Sequence, residues 1–98
     1  WMVNGDPHSM RPVARVKDPK SGRVMELEAD QPGIQFYTGN FMDGSTSGKG
    51  ATHTQYSAFC LESQKVPNSI NIPAWKKEVM LKPGETYKSI MVHKFSTE

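Results

Sequence analysis

Two short stretches carry the side chains best suited to acid–base chemistry on a polar ligand. The first is Ala58-Phe59-Cys60-Leu61-Glu62-Ser63-Gln64. Period-2 alternation makes it a strand with Phe59 and Leu61 turned toward a core, and Ala58, Cys60, Glu62 and Gln64 on the opposite face. Small neighbours leave room for a ligand beside the Glu62 carboxylate. Desolvation of a carboxylate in such a setting raises its proton affinity, which makes it a usable general base near neutrality. The second stretch is Gly33 to Gly39, where Gln35 and Tyr37 share a face flanked by glycines. A carboxamide both donates and accepts, so Gln35 suits a neutral polyhydroxylated ligand. The plainer alternatives are a solvated Glu62 and an exposed Gln35 with Tyr37 packed at a sheet edge. Spacing alone leaves both open.

Other reactive residues offer less. His8, His53 and His93 are scattered, with no metal-ligand spacing, and one cysteine completes no standard zinc set, so no metal centre is expected. Cys60 reads as a small buried residue, because a nucleophile needs an exposed thiolate and a neighbouring base. Gly48-Lys49-Gly50 lacks the spacing of a phosphate loop. Trp75 can stack on a sugar, although a single Trp serves packing as readily.

These candidates need strands to hold them. Trp1 to Asn4 has the character of a strand end, and Val13–Lys17 and Arg23–Ala29 flank an Asp18-Pro19-Lys20-Ser21-Gly22 turn. In the second of those strands Met25, Leu27 and Ala29 face one way and Glu26 and Glu28 the other, a hairpin with one wet face. Asp30-Gln31-Pro32-Gly33 has type II turn composition and leads into a strand over 34–38. Residues 39–55 are rich in Gly, Ser, Thr and Asn and read as one long loop. Beyond Gln64 come a helical turn near 67–71, a strand candidate over 77–81, a Pro83-Gly84 turn and a closing strand over 87–95. Short strands without a long helical period indicate an all-β sandwich, or part of one.

Composition narrows the class. Ninety-eight residues make one modest domain, and twelve basic against ten acidic residues leave a net charge of +2. That balance gives no basic surface for nucleic acid or anionic membrane. No apolar run approaches a membrane span and no leader pattern is visible. One cysteine excludes an internal disulfide and suits a reducing compartment, so a cytoplasmic location is expected. Residue 1 is Trp, not Met, and the expectation is a piece of a longer protein.

Four blocks together resemble a known family. They are Ser21-Gly22-Arg23-Val24, the run Gln31-Pro32-Gly33-Ile34-Gln35-Phe36-Tyr37-Thr38-Gly39-Asn40-Phe41-Met42-Asp43-Gly44, then Phe59-Cys60-Leu61-Glu62-Ser63-Gln64 with Val66-Pro67-Asn68-Ser69-Ile70-Asn71, and Leu81-Lys82-Pro83-Gly84-Glu85-Thr86-Tyr87. In order and approximate spacing they are similar to the C-terminal portion of aldose 1-epimerases (galactose mutarotases). The resemblance runs from about Val13 to Phe95. It implies a large β-sandwich of which residues 1–98 form an incomplete C-terminal part, with an open cleft across one sheet. It implies Glu62 as the general base and Gln35 as a ligand of sugar hydroxyls. The substrate would be a small aldohexose such as galactose or glucose, and ring opening and reclosure need no cofactor.

The chain also departs from the family's pattern. The resemblance implies a catalytic acid, a histidine, well upstream of the Glu and farther than this chain extends. A second histidine, an Asn-Arg pair and an aspartate that bind sugar would also precede the matched region. Tyr56 and Ala58 stand where many members have His and Gly, and Ser63 replaces Thr. A non-catalytic β-module binding carbohydrate or a partner chain is the alternative. A truncated sandwich leaves strand edges and apolar faces bare, so self-association is expected of a fragment.

Overall fold

The computed structural model describes residues 1–98. Its strands are β1 (Arg11–Lys17), β2 (Arg23–Ala29), β3 (Gly33–Tyr37), β4 (Ser47–Gly48), β5 (Ala51–Thr52), β6 (Cys60–Gln64) and β7 (Met91–Thr97). They form three antiparallel sheets, ordered β1-β2-β7, β3-β6 and β4-β5. The chain is all-β, with only two single-turn 3₁₀ segments at Ser69–Asn71 and Lys76–Val79.

The β1–β2 hairpin follows from its turn chemistry. The Asp18 carboxylate accepts bonds from the Lys20 and Ser21 amides and from the Ser21 hydroxyl. Gly22 then takes φ +72°, and a Cβ there would lie 2.5 Å from the Glu98 carbonyl oxygen. Only glycine meets both conditions. β2 occupies the middle of its sheet and carries most of the core: Leu27 and Ala29 are fully buried, and Val24 nearly so. The opposite face is laced with exposed ion pairs, Arg15 with Glu26 and Glu98, Lys17 with Glu98, and Lys94 with Glu28. The wet and dry faces expected of this hairpin are both present.

Arg11 fastens the start of the chain to this sheet. Its guanidinium donates to the carbonyls of Asn4 at 2.8 Å, Ser9 at 3.1 Å and Gln31 at 3.0 Å. That anchorage starts β1 two residues before the expected Val13. Pro12 is tolerated there because β1 is an edge strand whose register shifts between Pro12 and Ala14.

Elsewhere local bonding overrides the sequence pattern. The strand expected over 77–81 is instead the 3₁₀ turn Lys76–Val79. The amides of Trp75 and Lys76 fold back onto the Ile72 carbonyl, and that of Glu78 onto Trp75. The closing strand starts at Met91 rather than Tyr87, because the β2 ladder begins at the Ala29–Met91 pair. Gly33 does not form the expected type II turn. It lies in β3 at negative φ, where an added Cβ would lie 3.3 Å from the Gln64 carbonyl oxygen and 3.5 Å from that of Trp1. Within the expected loop over 39–55, β4 and β5 form a minimal hairpin. Its central residues, Lys49 and Gly50, both have positive φ, as a type I′ turn requires.

The burial expected beneath the second sheet is incomplete. Only 8 of 98 residues are buried, and Leu27 is the single large side chain that is fully so. Phe59, read as a core residue, is 42% exposed, as is Phe36, and the two rings meet edge to face at 6.0 Å. Leu61 is half-buried. The radius of gyration is 16.5 Å, against about 13 Å for a compact domain of this length. The accessible surface of 7437 Å² likewise exceeds the roughly 5,600 Å² of a compact 11-kDa monomer. Much apolar surface lacks a covering layer.

Candidate active site

β3 and β6 pair in a register that sets Gln35 directly opposite Glu62. Residues opposite one another in an antiparallel pair share a face, with Cβ atoms about 4.5–5.5 Å apart. The two candidates, 27 positions apart in sequence, therefore act on one patch of surface. The same face carries Gly33 opposite Gln64 on one side of the pair, and Tyr37 opposite Cys60 on the other. The reverse face holds Ile34, Phe36, Leu61 and Ser63, whose Oγ is buried without a partner. The split into polar and apolar faces follows the alternation of the sequence.

The N-terminal segment extends this sheet. Trp1 and Ile34 exchange amide-to-carbonyl bonds of 2.9 Å in each direction, Met2 bridges Gly33, and the Val3 amide donates to the Pro32 carbonyl at 2.9 Å. β3 thus becomes the middle of three extended segments, which fixes its side-chain directions.

Glu62 and Gln35 are both exposed. The desolvation expected around Glu62 is not provided by these residues. Cys60, expected to be buried, is exposed as well, because it lies on the open face with nothing above it. What distinguishes Glu62 is its isolation. Each of the other nine acidic residues accepts a hydrogen bond or forms an ion pair. Glu62 alone does neither. Asp6, Asp18 and Asp43 are held below the usual carboxylate range by such bonds, and Glu98 is held there by the bonds from Arg15 and Lys17.

Two hollows flank the Gln35–Glu62 pair. One, of about 250 Å³, is lined by Trp1, Gly33, Gln35, Gln64, Pro67 and Trp75, among others. The other, of about 190 Å³, is lined by Tyr37, Met42, His53, Phe59 and Cys60 among others. The Tyr37 hydroxyl accepts the Phe41 amide proton at 3.2 Å, and the Tyr37 ring stacks on that of Phe41. His53 is thus brought beside the row next to Glu62, while His8 lies in the N-terminal turn and His93 stacks on Phe95 in β7. The alternation of β6 had already put Gln64 on the face of Glu62. The convergence of Trp75 with Trp1 escaped notice, since 74 positions separate them.

This face, a carboxylate and carboxamides between aromatic walls, has the chemistry of a sugar site. A model of the aldose 1-epimerase family matches residues 3–94. The chain belongs to the aldose 1-epimerase family. It is 47% identical to galactose mutarotase of Bos taurus over 103 residues, an alignment covering 96% of this chain and 30% of that protein. It is 56% identical to galactose mutarotase of Sus scrofa over 75 residues, covering 76% of this chain and 22% of that one. Identity to aldose 1-epimerase of Escherichia coli is 37% over 75 residues, again 76% of this chain and 22% of the relative. The chain therefore spans less than a third of the length of these relatives. Its all-β content agrees with the β-sandwich fold of the family. No helix is long and apolar enough to cross a membrane.

Proposed function

We propose that this chain supplies the base half of an aldose 1-epimerase site, interconverting the α and β anomers of free aldohexoses such as galactose and glucose. One observation carries the reading: the only acidic residue without a partner faces a carboxamide across one strand pair. Glu62 removes the anomeric hydroxyl proton while an acid protonates the ring oxygen, and the ring opens to the aldehyde. Rotation about the adjacent carbon–carbon bond presents the other carbonyl face, and reclosure with proton roles reversed gives the other anomer. Gln35 holds the sugar hydroxyls so that the ring stays aligned with the carboxylate. Every step is a proton transfer, so no cofactor enters.

The acid in this reading is a histidine outside residues 1–98. These residues form the C-terminal part of a larger β-sandwich that works in the cytoplasm. The short span relative to the curated proteins and the thin core support incompleteness. A second reading, a β-module that binds carbohydrate or a partner chain without catalysis, draws support from β7, every residue of which is exposed.

The test grafts residues 3–94 into bovine galactose mutarotase in place of its matching segment. Optical rotation then follows freshly dissolved α-galactose with the chimera, its Glu62→Gln variant, the 98-residue chain and buffer. The folded chimera is expected to exceed buffer, and Glu62→Gln to lower that excess by about 10²–10⁴-fold. The chain alone should match buffer. A folded Glu62→Gln chimera as fast as its parent removes Glu62 from the base role. A folded but inactive parent chimera favours the binding module.

A further inference from the structure

Both tryptophans of the chain line the same hollow. Trp1 and Trp75 are its only two, and they wall the 250 Å³ space beside Gln35. The floor lies open because the row next to the Gln35–Glu62 pair is Gly33 opposite Gln64. Glycine projects nothing over that face, so the space above it passes to the hollow. Gln64 adds a second carboxamide to that of Gln35, and both line the space.

The lining selects a kind of ligand. No charged side chain contributes to it, and the Trp1 ammonium is spent on the Ile34 carbonyl at 2.9 Å. Indole faces pack against the apolar C–H face of a pyranose, while carboxamides exchange hydrogen bonds with its hydroxyls. A phosphate or carboxylate would find no cation there, and a plain hydrocarbon would strand two amides. The volume fits one ring unit and no more.

We propose that the Trp1–Gln64–Trp75 hollow is a second subsite, holding a pyranose ring attached to the sugar that reacts at Glu62. This rests on the epimerase reading and extends it, making Trp75 and Gln64 specificity determinants. The reacting ring lies over the Gln35–Glu62 pair with its anomeric hydroxyl at the carboxylate. A substituent on the part of that ring directed toward Gly33 enters the hollow, whereas a substituent at the anomeric carbon would abolish the reaction.

Glucose, maltose and cellobiose separate the two claims, because all three present the same reacting ring. Each is titrated into the isotope-labelled 98-residue chain while NMR follows the two indole N–H signals and the side-chain amides of Gln35 and Gln64. Glucose is expected to move the Gln35 signal. At least one disaccharide should in addition move both indole signals and the Gln64 amide, and bind about tenfold more tightly than glucose. In Trp75→Ala and Gln64→Ala the ratio of disaccharide to glucose affinity should fall toward one, with Trp75→Phe retaining part of it. Backbone spectra establish that each variant keeps the fold. If glucose moves Gln35 but neither disaccharide binds better or moves an indole, the subsite is wrong and the epimerase reading stands. If no sugar moves Gln35, that reading falls and the subsite with it.

Discussion

The two main sheets treat charge in opposite ways. Around β2, Glu26, Glu28 and Glu98 are tied to Arg15, Lys17 or Lys94, and the dry face holds the one fully buried large side chain, Leu27. On the β3–β6 face no ion pair forms, and Glu62 stands free beside carboxamides and aromatic rings. Surface pairs of the first kind add little stability each, about 0–1 kcal/mol, yet they occupy their carboxylates. A free carboxylate is at the disposal of a ligand. One sheet serves as scaffold and the other keeps its polar groups uncommitted.

Substitutions can break that contrast. Leu27→Ala should cost the scaffold the most, about 2–5 kcal/mol for removing a buried leucine, read as a lower denaturant midpoint. Gly22→Ala forces a side chain into left-handed backbone and against the Glu98 carbonyl, so about 1–2 kcal/mol is expected in the same measurement. Glu62→Gln should shift the midpoint by less than about 0.5 kcal/mol, as surface changes away from structural features do, although it removes the proposed base. A large loss of stability in Glu62→Gln would erase the distinction between the sheets.

The smallest effect concerns Asp30, at the seam between the sheets. Burial pushes its carboxyl up, but hydrogen bonds from Gln31, the Ile90 amide and Ser89 outweigh this and hold it below its ordinary value of 3.8. The folded-state value is thus lower than the unfolded one. The stabilisation is present above the ordinary value and lost as pH falls through the folded one. Exchange protection of the Ile90 amide should hold at pH 5 and fall in more acidic solution, and Asp30→Asn should flatten that dependence.

What the sequence revealed depended on how locally each feature is determined. Alternation in 33–37 and 60–64 assigned Gln35 and Glu62 to polar faces without any knowledge of their partners, and the Asp18–Gly22 turn carries its chemistry within five residues. Turn signals and strand lengths gave the all-β class in the same way. Features set by distant groups were harder to read. Cys60 and Phe59 were assigned burial on the assumption of a complete sandwich, and this chain lacks the layer that would cover them. Residues 77–81 have strand composition but no strand to pair with, so their amides turned back on Ile72 and Trp75 instead. The roles of Glu62 and Gln35 came from family resemblance; strand phase gave only their direction.

The pairing of β3 with β6 also determines what the 22 residues between Tyr37 and Cys60 are free to do. Lengthening or trimming that excursion changes the entropy of closure only slowly, and leaves Gln35 facing Glu62 as long as the ladder keeps its alignment. A slip of one residue is another matter, for it would present Phe36 or Leu61 in place of a polar partner. The connecting segment can therefore vary like a loop, while the two five-residue strands act as a lock with a single permitted setting.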